Sequence, residues 1–530
     1  MLSATQLGKG IFAKRACAAN LGYKALRAYS LLPLDLKLKI PNGIEYKQPT
    51  GLFINNEFVP SASGKTFEVI SPSDEEIIGS VYESDAQDVD IAVQAAYNAF
   101  ENSPWNKVDP SERGLALLKI ADIIDQNAEV LTSIEAWDNG KSVSNAAGDI
   151  AFCAAYFRSA AGFADKISGN ILETGDDFFT YTRKEPIGVV GQIIPWNFPL
   201  MMFSWKVAPA LVCGNTVVLK TSETTPLSAL YLASLIREND VLPPGVLNVI
   251  SGFGAVTGNA IAEHPEIRKV AFTGSTNTGK AILKKAAETN LKKVTLELGG
   301  KSPHIVFKDA DLDVALQSTL VGIYANSGEV CCAGSRLYVQ EDIYDQFLEK
   351  LKKGAESMVK VGNPFDPSVM QGAQNSEKQL EKILGYVDIG QKEGATLVTG
   401  GERLPGKGYF VGPTIFADTD GQMRIVREEI FGPVISVCKF KTTDEVVKYA
   451  NDTEYGLAAG IQTSNYNRAI DVARRLKAGT VWHNIYNSNH PMAPFGGYNQ
   501  SGIGRELGFE ALENYLQTKC VRSTVSKPTD

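Results

Sequence analysis

Apolar and polar residues alternate in blocks through the middle of the chain. Short apolar runs occupy residues 188–194, 216–219, 246–250, 269–272 and 294–298. Between them, apolar residues recur at helical spacing over 199–212, 225–238, 254–263 and 277–290. Strands that alternate with helices in this way indicate βαβ units and a mostly parallel sheet covered on both faces. The pattern therefore predicts an α/β fold.

A second alternating series follows Gly300. Its apolar runs lie at 304–307, 337–339, 396–398 and 434–440, and its helical stretches lie near 310–326, 341–358 and 376–392. Upstream of the first series, helical spacing covers 86–103, 111–138 and 143–164, and we expect folded structure beyond Pro41. A body of this length exceeds one core, so we divide it near Gly299 into a domain of residues 36–165 and 187–298 and a domain of residues 299–499.

Two further segments fit neither series. Residues 171–183 have the pattern of strand, turn and strand, with acidic residues and Gly175 at the turn. A two-stranded ribbon is marginal alone, so it should dock on another element. Residues 515–526 predict an edge strand that pairs with the ribbon of another subunit. Segments 166–186 and 515–526 are thus expected to form an oligomerisation arm.

The charge of the chain is unevenly distributed. Its formal net charge is −8, yet the first acidic residue is Asp35 and the preceding segment is basic, with Lys9, Lys14, Arg15, Lys24 and Arg27. An acidic body argues against nucleic acid as the partner. Residues 1–30 combine cations with interleaved apolar residues and Ser and Ala, which predicts a mitochondrial transit peptide, the alternative being a basic disordered tail. No apolar run is long enough for membrane insertion.

Cysteine and histidine spacing argues against a metal site. The seven cysteines include one adjacent pair, Cys331 and Cys332, and no CxxC pair. The four histidines show no ligand spacing with them. Scattered free thiols are typical of a reducing compartment.

A glycine-containing turn follows the run at 269–272. Gly274, Ser275 and Gly279 lie in a G-x-x-x-x-G pattern that opens a helix, and free N–H groups at a helix N-terminus can bind a pyrophosphate. Alone the motif also fits a plain strand–helix turn. Lys220 and Glu223 follow the neighbouring run, where a carboxylate can accept hydrogen bonds from ribose hydroxyls and repel a 2′-phosphate. They also fit a solvated surface pair.

Three residues carry candidate covalent chemistry. Asn197, in Pro195-Trp196-Asn197, can donate an amide hydrogen to a developing oxyanion, or it can cap the following helix. Glu297 lies 34 residues before Cys331, flanked by Leu296 and Leu298, as expected for a partly buried general base or for an exposed strand residue. Cys332 is the competing thiol, and one of the two cysteines should be inert.

Several motifs in a fixed order resemble those of the aldehyde dehydrogenases, over about residues 45–527. They are Leu-Glu-Leu-Gly-Gly at 296–300, Cys-x-Ala-Gly-Ser-Arg at 331–336, Pro-Trp-Asn-Phe-Pro at 195–199, Phe-Thr-Gly-Ser-x-x-x-Gly at 272–279, Glu-Glu-Ile-Phe-Gly-Pro at 428–433 and Pro-Phe-Gly-Gly-Tyr at 494–498. Fungal-type mitochondrial, acetaldehyde-oxidising members are the most similar.

The resemblance implies a role for each matching residue. Cys331 would be the nucleophile, Glu297 the base that activates water, and Asn197 the oxyanion donor. Glu506 would help to move protons. Residues implied to line the cofactor are Trp196, Lys220, Glu223, Gly274, Ser275, Gly279, Glu429 and Phe431. Those implied to line an aldehyde tunnel are Met202, Trp205 and Phe495. The corresponding fold is a Rossmann-like cofactor domain, a second α/β catalytic domain and a small β-ribbon oligomerisation arm.

One position departs from the family pattern. Many relatives carry an aromatic residue six positions before Phe495, where this chain has Asn489. The departure bears on the size and polarity of the substrate rather than on the chemistry.

The function implied is oxidation of a small aliphatic aldehyde, such as acetaldehyde, to its acid with NAD and water, with NADP as a possible second cofactor. A homotetramer built from dimers in the mitochondrial matrix is implied as well. Two alternatives differ in chemistry: a dehydrogenase that makes acyl-CoA, against which Glu297 counts, and a cofactor-free thiol hydrolase, against which the nucleotide-like segments count. A scaffold with a dead fold is a third.

Overall fold

The computed structural model describes residues 32–526. The predicted transit peptide, residues 1–30, lies outside this range. The strands of the described range are β1 (Asp35–Lys39), β2 (Glu45–Pro49), β3 (Leu52–Ile54), β4 (Glu57–Val59), β5 (Thr66–Ile70), β6 (Ile77–Tyr82), β7 (Ile171–Leu172), β8 (Phe178–Pro186), β9 (Val189–Ile193), β10 (Thr216–Lys220), β11 (Leu247–Ile250), β12 (Lys269–Thr273), β13 (Lys293–Glu297), β14 (Pro303–Val306), β15 (Arg336–Gln340), β16 (Thr396–Thr399), β17 (Thr414–Ala417), β18 (Val434–Phe440), β19 (Ala458–Gln462), β20 (Thr480–His483), β21 (Gly502–Ile503) and β22 (Leu516–Thr524).

The helices alternate with these strands. They are α1 (Ala86–Asn102), α2 (Pro110–Gln126), α3 (Ala128–Asn139), α4 (Val143–Ala161), α5 (Pro199–Val212), α6 (Leu227–Glu238), α7 (Asn259–Glu263), α8 (Thr276–Glu288), α9 (Leu312–Tyr324), α10 (Tyr344–Met358), α11 (Glu377–Lys392), α12 (Arg424–Arg427), α13 (Thr443–Asn451), α14 (Tyr466–Arg475) and α15 (Glu510–Glu513). Within the range that the structure describes, no helix is long and apolar enough to span a membrane.

The first sheet confirms the alternation predicted for residues 187–298. Its order is β21-β13-β12-β9-β10-β11-β3-β4, and the five strands from β13 to β11 are parallel. Antiparallel strands close both ends, β3 beside β11 and β21 beside β13. The last pairing sets Gly502 opposite Glu297, so the chain returns from the second sheet to the end of β13.

The second sheet has the order β16-β17-β18-β15-β14-β19-β20, and it is parallel from β17 to β20. The sequence pattern missed β17, β19 and β20. β19 begins Ala458-Ala459-Gly460, residues that rarely favour strands. Gly460 has no side chain because Tyr486 packs here: a Cβ on Gly460 would lie 2.5 Å from its ring.

One apolar core contacts both sheets. It contains Val217 and Leu219 from β10 together with Leu337 and Val339 from β15, all fully buried. The division into domains near Gly299 stays a prediction, because the described residues, 32–526, lie in a single compact unit.

The C-terminal strand corrects the predicted arm. β22 was expected to pair with the ribbon of another subunit, but it pairs antiparallel with β8 of its own chain, from Leu516 opposite Pro186 to Thr524 opposite Phe178. The guanidinium of Arg522 lies 3.8 Å from the ring centroid of Phe178 and adds a cation–π contact. An edge pattern specifies that a strand needs a partner and does not specify which chain supplies it.

Other boundaries also differ from expectation. Ordered structure begins before Pro41, since β1 pairs with β2. The predicted helix 111–138 is interrupted at Asn127 between α2 and α3. The predicted helix 254–263 consists of a π-helical turn, Gly254–Gly258, followed by α7.

Arg336 fixes the start of β15, shortly after the Cys331 loop. Its side chain is 1% exposed. Nε donates to the Lys301 carbonyl at 2.7 Å, and Nη2 donates to the Ala450 carbonyl at 2.8 Å, near the C-terminus of α13. A cation there also interacts favourably with the helix dipole. Arg336 therefore connects the segment after Glu297 with the segment after Cys331.

Replacing Arg336 with Met should lower the free energy of unfolding by about 3 kcal/mol, because at least two buried carbonyls lose a charged donor. Urea titration followed by circular dichroism measures the change. The exposed Arg474 of α14 provides the matched control, and Arg474→Met should be near neutral. Equal stability of the two variants would contradict this role for Arg336.

Candidate active site

The carboxyl ends of neighbouring parallel strands meet at one edge of the first sheet. β9 leads to Pro195-Trp196-Asn197, β12 to Gly274-Ser275, and β13 ends at Glu297. Crevices at this edge are the usual ligand sites of open α/β sheets. Here the strand ends line a cavity of about 490 Å³, whose far wall includes Cys331 and the segment 487–489.

The backbone before the thiol has an unusual shape. Asn326, Ser327 and Gly328 are all left-handed, with φ of 48°, 57° and 74°. Left-handed conformations are costly for residues other than glycine. A Cβ on Gly328 would lie 2.2 Å from the carbonyl carbon of Gly432, so close backbone packing holds this turn. The turn delivers Cys331 to the cavity wall.

The two adjacent cysteines have different environments. Cys331 is half-buried and lines the cavity. Cys332 is 2% exposed, its thiol contacts Oδ1 of Asn487 at 3.5 Å, and its carbonyl accepts a hydrogen bond from the Tyr486 hydroxyl at 2.9 Å. A hydrogen bond with Cys332 and burial raise the pKa of the Cys331 thiol well above 9.0, and the Glu429 carboxylate adds to the effect. The free thiol is therefore neutral at pH 7.

Glu297 is a buried carboxyl group at the end of β13. It is 6% exposed, and neither carboxyl oxygen has a hydrogen-bond partner within residues 32–526. A Cβ on Gly496 would lie 2.8 Å from its Oε1, so glycine leaves room for the carboxyl. Burial raises the pKa of Glu297 well above 4.5, with further increases from Glu506 and Cys331. A carboxylate with a raised pKa is a stronger base than one in water.

A buried ion pair lies behind Glu297. Lys206 of α5 is fully buried and donates to Oε1 of Glu506. Oε2 of Glu506 has no partner among the described residues. The backbone of Glu506 exchanges two hydrogen bonds with Phe495, both 2.7 Å long. The sequence reasoning identified Glu506 but missed Lys206, because a lysine inside an apolar helix carries no pattern of its own.

Hydrogen bonds at its backbone carbonyl and at one hydrogen of its side-chain amide hold Asn197 in place. Its Nδ2 donates to the Glu329 carbonyl at 2.8 Å, which leaves the second amide hydrogen free for a ligand. Its own carbonyl accepts hydrogen bonds from Lys141 at 2.8 Å and from Asn326 at 3.1 Å. The alternative role as a helix cap does not occur, since the N-cap of α5 is Phe198.

Lys141 is a second residue that sequence reasoning missed. Its side chain is 1% exposed, and its ammonium contacts Asp149 at 2.6 Å as well as the Asn197 carbonyl. It also lies 4.4 Å from the ring centroid of Phe198. A buried lysine is costly unless its charge is compensated. The compensation here fixes the peptide of Asn197.

One end of the cavity fits a dinucleotide. Ser275 caps α8 by accepting a hydrogen bond from the Thr278 amide at 3.3 Å, and the hydroxyls of Thr273 and Thr276 have no partner in the described part of the chain. A Cβ on Gly299 would lie 2.2 Å from Oε2 of Glu429, so only glycine fits there. A helix N-terminus with free donors suits a pyrophosphate.

The predicted cofactor residues divide into two groups. Trp196, Gly274, Ser275, Glu429 and Phe431 line the cavity. The rings of Trp196 and Phe431 meet edge to face with centroids 5.3 Å apart, and Phe431 has a left-handed φ of 63°. Glu429 Oε1 accepts a hydrogen bond from the Gly300 amide at 3.0 Å.

The remaining predicted cofactor residues lie outside the cavity wall, as residues 32–526 define it. Lys220 ends β10, donates to the Thr221 carbonyl at 2.8 Å and contacts Glu223 at 3.4 Å. Burial lowers the pKa of Lys220. Gly279 packs under Leu298, where a Cβ would lie 2.6 Å from a leucine methyl. Close packing of α8 against Leu298 thus explains why residue 279 is glycine.

The other end of the cavity is mostly apolar. Met202, Trp205 and Phe495 line it, as the resemblance implies, with the rings of Trp205 and Phe495 5.4 Å apart. Asn489 also lines this end. Among the described residues, no cluster of three or more metal-ligating side chains is present. The arrangement places a thiol, a buried carboxyl and a side-chain amide around one cavity with an apolar end and a nucleotide-like end.

Comparison with known proteins agrees with this chemistry. The sequence model described as "Aldehyde dehydrogenase family" matches residues 58–521. An aldehyde dehydrogenase of Davidiella tassiana is 55% identical over 487 residues, 92% of this chain and 98% of that relative. Aldehyde dehydrogenase family 2 member B4, mitochondrial, of Arabidopsis thaliana is 52% identical over 480 residues, 90% of this chain and 89% of that relative.

A solved structure agrees as well. The NAD+ complex of aldehyde dehydrogenase from Bacillus cereus has a TM-score of 0.88 at 49% identity and covers 90% of this chain and 97% of its own. The span matched by the family model, residues 58–521, includes every residue of the cavity wall. This chain therefore belongs to the aldehyde dehydrogenase family of enzymes.

Proposed function

We propose that the protein oxidises a small uncharged aldehyde to its carboxylic acid with NAD and water, through a covalent intermediate on Cys331. The observation that carries the proposal is that the half-buried thiol of Cys331 and the unpartnered carboxyl of Glu297 line one cavity of about 490 Å³. Burial next to other charges is the usual way to tune a catalytic thiol and base.

The first step is addition of the thiol to the aldehyde. Because the Cys331 thiol is neutral in the free site, it must lose its proton to water before it adds to the aldehyde. The sulfur then bonds to the carbonyl carbon, and the free amide hydrogen of Asn197 donates to the new oxyanion. One such donor typically contributes about 10²–10³ in rate.

Thr273, Ser275, Trp196, Glu429 and Phe431 are the cavity residues that would hold the cofactor. When bound, NAD accepts the two electrons and the hydrogen of the aldehyde carbon as a hydride. The acyl group is left on Cys331 as a thioester. The Glu297 carboxylate then takes a proton from water, and the resulting hydroxide releases the acid and restores the sulfur. Glu506 and its buried partner Lys206 act electrostatically on Glu297.

NAD rather than NADP is proposed on electrostatic grounds. Glu223 is held at the end of β10 by Lys220 at 3.4 Å. A carboxylate there binds ribose hydroxyls and repels a 2′-phosphate. The related Bacillus cereus enzyme has been solved with NAD+.

We also propose a mitochondrial matrix enzyme that assembles as a homotetramer, a dimer of dimers. Location is supported by the basic, acid-free residues 1–30 and by the name of the Arabidopsis relative. Assembly is supported by β22, a nine-residue edge strand whose outer side has no partner strand within residues 32–526. Long exposed edges are normally covered.

Replacing Cys331 with Ala should lower kcat by at least about 10³-fold, because no other thiol lines the cavity at a comparable exposure. Binding of NAD, measured by calorimetry, should persist. Cys332→Ala is the matched control and should keep activity within about tenfold. Full activity of Cys331→Ala would rule out this nucleophile.

Replacing Glu297 with Gln should allow the first turnover and stall hydrolysis of the thioester. Stopped-flow absorbance should record a burst of NADH followed by a steady state at least about 100-fold slower than in the parent. In the parent, hydrolysis should fall as the pH drops through a value above 4.5, because burial raises the pKa of Glu297. The exposed Glu349 gives the control Glu349→Gln. A normal steady state without a burst would contradict the assignment.

The parent should use NAD with a kcat/KM at least about 10-fold higher than NADP. Glu223→Gln should reduce that ratio, because the repulsive charge is removed. Glu238→Gln, an exposed change on α6, should leave the ratio unchanged. A parent that prefers NADP, or an unaltered ratio in Glu223→Gln, would refute the proposed role.

A further inference from the structure

The aldehyde end of the cavity has two unlike walls. One wall is apolar and includes Met202, Trp205 and Phe495. Another part of the cavity lining, the polar wall, contains three consecutive polar residues, Asn487, Ser488 and Asn489. An entirely apolar wall would serve a plain alkyl tail best, so a row of amides and a hydroxyl calls for an explanation.

These polar groups are only partly satisfied by the protein. The Asn487 Oδ1 accepts the Cys332 thiol at 3.5 Å. The Asn489 amide and the Ser488 hydroxyl have no side-chain hydrogen bond to any other residue in the described range. On the apolar wall, the indole Nε1 of Trp205 is an unpartnered donor within that same range, in a residue only 3% exposed. The lining thus holds one buried unpaired donor, the Trp205 indole, and one half-buried amide, that of Asn489, whereas Ser488 is exposed.

The polar wall is held in place. Asn487 has a left-handed φ of 53°, and the Ser488 carbonyl accepts a hydrogen bond from the Trp482 indole at 2.9 Å. Further along, Phe495 is fastened to Glu506 by two backbone hydrogen bonds. Fixed donors bind a matching acceptor at a lower entropy cost than mobile ones.

The charges around the cavity exclude an ionic tail. Asp149 is compensated by Lys141 at 2.6 Å. Glu297 and Glu506 are the carboxyl groups assigned to proton transfer. Glu429 accepts a hydrogen bond from the Gly300 amide at the nucleotide-like end of the cavity. Lys382 also lines the cavity and interacts electrostatically with the same Glu429 carboxyl. The groups that remain for the tail of an aldehyde are neutral donors and acceptors.

We propose that the polar wall formed by residues 487–489, together with the Trp205 indole of the same cavity, selects short aldehydes that carry a hydroxyl group over alkanals of the same length. This inference rests on the proposed function and names its substrate class. The tail hydroxyl accepts from a cavity N–H and donates to a side-chain oxygen. A buried donor without a partner is unfavourable, so the substrate that satisfies it binds better.

The test compares matched aldehydes. kcat/KM is measured for acetaldehyde and glycolaldehyde, and for propanal and 3-hydroxypropanal, in the parent and in Asn489→Leu. The quantity of interest is the hydroxyaldehyde-to-alkanal ratio in the parent divided by the same ratio in the variant. Differences in hydration and intrinsic reactivity between the aldehydes cancel in this quotient. We expect a quotient of about 3–10 for at least one pair, the size of one net hydrogen bond.

Two further variants separate a polar contact from a packing change. Asn489→Ser keeps a hydrogen-bonding group and should retain most of the preference. Asn467→Leu makes the same exchange on the exposed face of α14 and should give a quotient of one. A quotient of one for Asn489→Leu with both pairs, in a parent that oxidises all four aldehydes, would overturn the inference and leave the proposed function standing. A parent that forms no NADH from any of them would overturn both.

Discussion

The free-energy cost of burying the Glu297 carboxyl beside the Cys331 thiol is the constraint on which the rest of the site depends. Neither carboxyl oxygen has a partner in the described range. An unpaired buried polar group costs about 1–3 kcal/mol. The cost is tolerated because Glu297 ends β13, a strand held on one side by β12 and on the other by β21. If this carboxyl were solvated, its pKa would be that of an ordinary glutamate, and its carboxylate would be a weaker base.

The same constraint explains the features around the thiol. The carboxyl of Glu297 keeps its raised pKa only where the access of water to it is limited. The consecutive left-handed residues of the turn at 326–328 set Cys331 in the wall of the same cavity. Lys141 fixes Asn197 from behind, and Lys206 fixes Glu506. Buried lysines whose charges are compensated locally therefore position the reactive groups. The free energy that stabilises this arrangement comes from the packed parallel sheets around it.

Much of the fold could be predicted because apolar runs such as residues 216–219 are long enough to indicate a buried strand. β19 was missed because it begins with the small residues Ala458, Ala459 and Gly460, and Gly460 accommodates Tyr486 from a distant segment. The partner of β22 was assigned to another chain because the sequence pattern of an edge strand is the same whether its partner lies in the same chain or in another. The thiol, carboxyl and amide were identified from motifs, while Lys141, in the connection between α3 and α4, and Lys206, inside α5, were not, since a single lysine leaves no periodic trace.

The central claim is that one sulfur is acylated during turnover while its neighbour stays free. Rapid acid quenching of the parent enzyme with aldehyde and NAD, followed by proteolysis and fragmentation mass spectrometry, assigns the acyl group to a single residue. The account predicts the acyl mass on Cys331 and unmodified Cys332. An acyl group on Cys332 or on any other side chain, with turnover in progress, would contradict it.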